Sequence, residues 1–135
     1  KEQNHPGLSY GYRFEKDGRT VVYSTDAEHK FDTDEEESRF TQFFDRADLL
    51  IFDAQYPLLD AVTSKEHWGH SHSYQGVELA VKARVKHLCL FHYDPATSDK
   101  DLDKLLAETE KMVPLVTEKS RLKVSIPWDG RVIAV

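Results

Sequence analysis

The stretches DLLIFD at residues 48–53 and KHLCLFH at residues 86–92 decide the fold class of this chain. Each contains a short run of apolar residues, and continuous apolar runs of this length are typical of buried strands. Between them, residues 74–84 place Val77, Ala80 and Val81 on one side of a helix. A strand, a helix and a second strand in this order predict an α/β fold.

Turn and capping signals predict the other elements. The turn KDGR at residues 16–19 joins two stretches into a hairpin, and PWDG at residues 127–130 predicts a terminal hairpin with residues 131–135 as its second strand. Thr33 and Ser98 each stand in front of an apolar stripe as helix caps. The prediction is one mixed sheet with the helices on one face, with strands at 8–15, 19–24, 48–52, 86–91 and 122–126 and helices at 34–46, 74–84 and 99–113.

Length and composition favour a single domain over residues 1–135, because 39% hydrophobic and 31% charged residues are ordinary for a globular protein. The net charge of −6 argues against a nucleic-acid surface built on phosphate contacts, although bound cations would change the local field. Cys89 is the single cysteine and no apolar run has the length of a membrane span, so we expect a cytoplasmic protein. The chain begins at Lys1 without a methionine, which a missing upstream segment or a cleavage boundary would each explain.

Three side chains of metal-ligand type stand at the edges of the predicted strands. His5 precedes an aromatic-rich stretch, Asp26 closes the second strand, and His92 follows the strand at 86–91. Open α/β sheets build their sites at the carboxyl ends of strands, and imidazole with carboxylate suits Zn, Mn or Fe. A metal-dependent hydrolase is therefore the first interpretation. Taken singly, each residue has a structural alternative, namely an exposed loop residue, a turn cap or a core hydrogen bond.

A second histidine-rich stretch, WGHSH at residues 68–72, precedes the predicted helix at 74–84. The spacing of His70 and His72 suggests a metal pair, whereas a helix N-terminus suits a phosphate held by backbone N–H groups and an imidazole. An exposed polar loop is the third alternative. His29 has no matched role, and we predict that it lies at the surface.

Taken in chain order, these pieces resemble the metallo-β-lactamase fold, and within it the phosphodiesterase branch of the RNase Z type. The resemblance extends from His5 to about Pro95, and the terminal helix and hairpin fit the same fold. It rests on His5 followed by SYGYR at residues 9–13, on VYSTD at 22–26, on GHS at 69–71 and on VKHLCLFH at 85–92.

This resemblance implies two divalent metal ions in the intact protein, with Zn favoured and Mn or Fe as alternatives. His5 would bind one ion, Asp26 would bridge the two ions, and His92 would bind the second. A bridging carboxylate holds two cations close enough to stabilise both the attacking and the leaving oxygen. His70 would be the catalytic group near the substrate phosphate or the leaving oxygen.

The family's signature metal loop, His-x-His-x-Asp-His, occurs nowhere in the chain, because Tyr74 and Gln75 stand where the pattern begun by His70 needs Asp and His. The resemblance therefore implies a fragment, the C-terminal half of an αββα sandwich that lacks half of the metal ligands. On its own it should bind metal poorly or not at all. The open face of its sheet should be apolar, so the expected partner is the missing N-terminal half or a second copy in a homodimer.

The leading interpretation is the C-terminal portion of a metal-dependent hydrolase that acts on a phosphodiester substrate and is inactive in isolation. The alternative is a non-catalytic binding or signalling module that retains the fold. A self-contained α/β domain with an accidental resemblance is the third interpretation. The sequence upstream of Lys1 discriminates the first two, because only the hydrolase requires the signature metal loop there.

Overall fold

The computed structural model describes residues 1–29, 31, 33–56, 68–119 and 121–135. Within these residues, one sheet has the strand order of the sequence, with β1 antiparallel to β2 and with β2 to β5 parallel. The predicted α/β fold with one mixed sheet is confirmed. The elements are β1 (Tyr12–Lys16), β2 (Arg19–Ser24), α1 (Asp34–Phe44), β3 (Leu49–Asp53), α2 (Ser73–Lys82), β4 (His87–Phe91), α3 (Asp99–Val116) and β5 (Lys123–Ser125).

One face of the sheet forms the core together with the helices. Phe52 of β3 and Leu88 of β4 are fully buried there, because alternate side chains of a strand point to the same face. Phe44 of α1, Val77 of α2 and Val113 of α3 belong to the same apolar cluster. Burial of each large apolar side chain in this core stabilises the folded state by about 1.5–3 kcal/mol. The prediction that the helices pack on one face is confirmed.

Part of the opposite face of the sheet is apolar and open to solvent, whereas Cys89 of β4 is buried on the same face. Tyr12 and Phe14 of β1 are 54% and 60% exposed, and Phe91 of β4 is 38% exposed. These side chains share one face, since Tyr12 lies opposite Tyr23 in the register and the Tyr23 and Phe91 rings lie 6.4 Å apart. We call the face that Tyr12, Phe14, Tyr23 and Phe91 form the outer face.

The helices begin where the capping motifs predict. Thr33 Oγ1 accepts a hydrogen bond from the Glu36 N–H, and Ser98 Oγ accepts one from the Asp101 N–H. The last helix extends three residues beyond the predicted end, to Val116. Among the helices of the described residues, none combines the length and the apolar character that crossing a membrane requires.

The predicted terminal hairpin is wrong, because residues 131–135 form no strand. Gly130 adopts a left-handed φ of 81°, and the Arg131 N–H donates to the Trp128 carbonyl at 3.0 Å, which closes a tight turn. The Arg131 guanidinium lies 4.2 Å from the centre of the Trp128 ring and donates to the Ile126 carbonyl at 2.7 Å. This side chain thereby satisfies a carbonyl that a returning strand would need.

The first predicted strand is shorter than expected. It begins at Tyr12 rather than at residue 8, and Tyr10 forms an isolated bridge with Glu2 instead of joining β1. The first residues of the chain pack against the segment around Tyr10, since the Gln3 N–H donates to the Ser9 carbonyl at 3.0 Å. The segment before β1 therefore folds back on itself and brings His5 towards the carboxyl end of β2.

Candidate metal centre

The predicted ligands Asp26 and His92 meet at one edge of the sheet. β2, β3 and β4 are parallel neighbours, so their carboxyl ends lie at the same edge. Asp26 lies two residues after β2, and His92 directly follows β4. His92 Nε2 is 3.4 Å from Asp26 Oδ1, which confirms the predicted proximity of the two side chains. Their role as metal ligands stays a prediction.

Both residues adopt a backbone conformation that is unfavourable for side chains other than glycine. Asp26 has a φ of 55° and His92 a φ of 60°. Of the other described non-glycine residues with positive φ, Asp17 lies in the hairpin turn, and Arg46 and Arg84 follow helix ends. Left-handed residues are common at such turns and caps, whereas strained residues elsewhere cluster at functional sites.

His5 and His70 complete the cluster, as predicted. The His5 and His70 rings pack edge to face with centres 5.4 Å apart, and the His70 and His92 rings stack at 4.9 Å. Within the part of the chain that the structure describes, two groups have potential ligand atoms that all lie within 4.8 Å of one another, namely His5, Asp26 and His70, and Asp53, His70 and His92. The chain thus brings all four predicted site residues to one cluster.

Asp53, the last residue of β3, is a central site residue that the sequence analysis did not include. Its carboxylate is fully buried between the loops that carry Asp26 and His70. Oδ2 accepts from the Asp26 N–H at 2.9 Å and from His70 Nδ1 at 2.9 Å, and Oδ1 accepts from the Ser71 N–H at 3.3 Å. The Ala27 and Gln55 N–H groups also donate to this carboxylate. Asp53 therefore joins the site loops by five hydrogen bonds.

One buried nitrogen of the cluster lacks a hydrogen-bond partner. His92 Nδ1 is buried and makes no hydrogen bond to any described residue, since Asp53 Oδ2 is 3.7 Å away. Buried polar atoms in proteins are normally satisfied, and an exception calls for a specific explanation. An imidazole lone pair next to carboxylate oxygens is a ligand set that Zn, Mn and Fe accept. The residues present therefore fit a divalent metal ion.

Gly69 is required for the close approach of the loop that carries His5 and the loop that carries His70. It adopts a left-handed φ of 86°, and a Cβ at this position would lie 2.4 Å from His5 Cδ2 and 2.4 Å from Pro6 Cδ. The Gly69 N–H donates to Glu28 Oε2 at 3.3 Å, which anchors the loop to the residues that follow β2. The glycine in the GHS stretch therefore allows His5 and His70 to come into contact.

His72 has a structural role rather than the predicted alternative of a metal pair with His70. His72 is the N-cap of α2, and its Nδ1 accepts from the Gln75 N–H at 3.3 Å. Burial lowers the pKa of His72 below its ordinary value, which keeps the ring neutral and able to accept this bond. Of the described residues that could hold a metal ion, the groups at the site include His70 and not His72.

The prediction that His29 lies at the surface is wrong. Its ring is fully buried, stacks on Phe52 with centres 4.6 Å apart, and meets Phe40 edge to face at 5.0 Å. Burial lowers the pKa of His29 to about 3, so the ring is neutral at physiological pH. The polar neighbours of His29 in the sequence gave no sign of this burial, because Phe40 and Phe52 come from distant segments.

The fold and the cluster define an α/β protein with imidazoles and carboxylates at the carboxyl ends of parallel strands. The sequence model described as the β-lactamase superfamily domain matches residues 1–93. This match covers more than half of the chain, and the chain belongs to the β-lactamase superfamily. The relationship that the sequence motifs indicated is confirmed.

The curated relatives agree with this assignment, and the solved structures share the fold. The chain is 32% identical over 101 residues to the ribonuclease Z of Brevibacillus brevis and 36% identical over 89 residues to that of Picrophilus torridus. The metallo-β-lactamase fold protein YhfI from Bacillus subtilis superimposes with a TM-score of 0.71 at 23% identity and over 97% of this chain. The short form of human tRNase Z gives a TM-score of 0.59 at 26% identity over 70% of this chain.

The chain is much shorter than these relatives. The alignments cover 72% and 64% of this chain but 29% and 26% of the two ribonucleases. They cover 46% of the YhfI chain and 34% of the human tRNase Z chain. The chain is thus a β-lactamase-fold domain related to ribonuclease Z, and it spans less than half the length of the relatives that it matches.

Proposed function

We propose that residues 1–135 are the C-terminal part of a metal-dependent hydrolase domain that cleaves phosphodiester bonds. The observation that carries this proposal is the convergence of Asp26 and His92, with Nε2 and Oδ1 at 3.4 Å, in one cluster with His5 and His70. The kinship with proteins named ribonuclease Z supports a phosphodiester in RNA as the substrate.

In this proposal His5 would hold one divalent ion, Asp26 would bridge two ions and His92 would hold the second. The remaining ligands come from a segment outside this chain, since the chain lacks the His-x-His-x-Asp-His loop. Zn is the favoured metal for such a set, with Mn or Fe as alternatives. When bound, such ions supply an activated water and stabilise the negative charge that develops on the phosphate oxygens.

His70 is the catalytic acid of the proposed reaction. Asp53 Oδ2 accepts a hydrogen bond from His70 Nδ1 at 2.9 Å, so the proton of the neutral ring stays on Nδ1 and the ring keeps one orientation. His70 Nε2 is then the atom that faces the substrate, and the protonated ring donates from Nε2 to the leaving oxygen. The buried Asp53 carboxylate thereby holds the orientation in which His70 makes this transfer.

The outer face is the surface on which the proposed N-terminal segment packs. Tyr12 and Phe14 are each more than half exposed, and an apolar patch of this kind favours association. The greater length of the relatives supports a missing segment as the occupant, and a second copy in a homodimer is the alternative. The isolated chain should therefore self-associate in sedimentation experiments, while a soluble monomer at high concentration would contradict a covered outer face.

The proposed activity can be tested with the longest natural protein that contains this sequence. We expect it to hydrolyse bis(p-nitrophenyl) phosphate and a short RNA, to lose the activity in EDTA and to regain it with Zn²⁺ or Mn²⁺. Asp26→Asn should lower the rate by more than about 100-fold. Mutation of a residue that only hydrogen-bonds to a metal ligand already lowers activity or metal affinity by about 10- to 100-fold.

Asp17→Asn is the matched control for this substitution. Asp17 is also an aspartate with a left-handed φ, of 51°, but it lies in the hairpin turn, so any effect of the backbone conformation is shared. Asp17→Asn should leave the rate unchanged. Hydrolysis that EDTA does not affect, or equal rates for the two variants, would overturn the proposal. Metal binding without hydrolysis would favour the non-catalytic binding module.

A further inference from the structure

His29 forms no hydrogen bond with His5, Asp26 or His92, and yet its hydrogen bonds connect two of the site loops. The His29 N–H donates to Ser71 Oγ at 3.0 Å, and His29 Nδ1 lies 2.8 Å from the same oxygen. Ser71 is the neighbour of His70 in the chain, and His29 follows Asp26 by three residues. One imidazole thus connects the turn that carries Asp26 to the loop that carries His70.

The hydrogen-bond donors and acceptors around Ser71 determine the tautomer of His29. The Ser71 hydroxyl has one proton, which it donates to the Ala27 carbonyl at 2.6 Å. Its oxygen must then accept from both His29 donors, so Nδ1 carries the ring proton. His29 Nε2 is therefore unprotonated, and it lies 3.4 Å from Ser24 Oγ.

This network extends to the proposed catalytic pair. The Ser71 N–H donates to Asp53 Oδ1 at 3.3 Å, and Asp53 Oδ2 accepts from His70 Nδ1. The Gln75 side-chain amide donates to the His29 carbonyl, which adds a link from α2 to the turn after β2. A change in the His29 side chain would therefore shift Ser71 and, through it, the orientation of His70.

We propose that His29 is a positioning residue, which holds the His70 loop against the Asp26 turn by donating from Nδ1 to Ser71. The kinetic consequences of this inference rest on the hydrolase function proposed above. Its structural consequences concern the orientation of His70 and can be measured without any activity.

His29→Asn and His29→Leu form a pair that separates positioning from packing. Asparagine and leucine both branch at Cγ and are similar in size, but only asparagine carries an N–H donor near the place of His29 Nδ1. His29→Leu keeps an apolar side chain among Phe40, Phe44 and Phe52, whereas His29→Asn keeps the donor to Ser71. Both variants are made in the longest natural protein that contains this sequence.

We expect kcat for bis(p-nitrophenyl) phosphate to fall about 10-fold or more in His29→Leu, as for other outer partners of a metal site, with KM nearly unchanged. His29→Asn should keep kcat within about threefold of the wild-type value, since it restores the donor. In ¹⁵N-histidine spectra of the wild-type protein, His29 should be in the Nδ1–H tautomer. The His70 signals should be displaced in His29→Leu and retained in His29→Asn.

Equal kcat values and unchanged His70 signals in both folded variants would overturn the positioning role, as would an Nε2–H tautomer of His29. A fall in kcat in His29→Asn together with a wild-type kcat in His29→Leu would also overturn the positioning role. Packing and not the hydrogen-bond donor would then determine kcat. If the wild-type protein hydrolyses no phosphodiester, the proposed function fails. Displacement of the His70 signals in His29→Leu would still support the positioning role in that case.

Discussion

The wild-type protein should lose stability relative to its His29→Asn variant as the pH falls below about 6.5. Burial lowers the pKa of His29 from 6.5 to about 3 in the folded state, so between these values the unfolded chain binds a proton that the folded chain does not. Unfolding is then favoured by acid, and the stability contributed by the neutral ring is present above pH 6.5 and lost towards pH 3. The difference in the free energy of unfolding between the wild-type protein and His29→Asn should change by about 1.4 kcal/mol per pH unit in this window.

Urea unfolding at a series of pH values, followed by the fluorescence of Trp68 and Trp128, measures this effect. The comparison with His29→Asn removes the contribution of the carboxylates and of the other histidines, since these titrate in both proteins. Parallel curves of the free energy of unfolding against pH would show that His29 binds protons in the folded state and is not buried as described.

Replacement of Asp53 by asparagine should lower the free energy of unfolding by about 3 kcal/mol or more. Five N–H donors point at the buried carboxylate, and the amide of asparagine would place its own donors against some of them. Each buried donor that loses its acceptor costs about 1–3 kcal/mol. The loops that carry Asp26 and His70 should separate first, because this carboxylate joins them.

Asp45→Asn is the control for the Asp53 substitution. Asp45 caps the end of α1, as Asp53 lies at the end of β3, but the Asp45 side chain is 41% exposed and forms an ion pair with the exposed Arg84. Loss of this ion pair should lower the free energy of unfolding by no more than about 1 kcal/mol, as for other surface ion pairs. Chemical denaturation of both variants gives the comparison, and equal free energies of unfolding would contradict the role of Asp53 as the junction of the site loops.

Most of the sheet could be predicted, because its pattern is local. The strands at 19–24 and 86–91 have apolar runs that end at recognisable turns, and the structure places β2 and β4 within one residue of these bounds. The terminal hairpin could not be predicted from its turn alone, because the outcome depends on Arg131. Its guanidinium donates to the Ile126 carbonyl, and a hydrogen bond from a side chain to the backbone leaves no trace in apolar periodicity.

The candidate site could be predicted in part for the same reason. Asp26 lies two residues after β2 and His92 directly follows β4, and the parallel arrangement of these strands then brings the two side chains together. Asp53 carries the same signal, an apolar run followed by a carboxylate, so the sequence could have indicated it, although the sequence analysis did not include it. His29 had no such signal, because its burial depends on Phe40, Phe44 and Phe52 from two other elements.

The central claim is that His5, Asp26 and His92 hold divalent metal ions. Crystals of the longest natural protein that contains this sequence, grown with Zn²⁺, allow the ions to be located by anomalous diffraction at the zinc absorption edge. We predict an anomalous peak within bonding distance of Asp26 and His92, about 2 Å from the ligand atoms, and a second peak beside His5 and Asp26. Zinc peaks elsewhere in the molecule, with none at this cluster, would contradict the account.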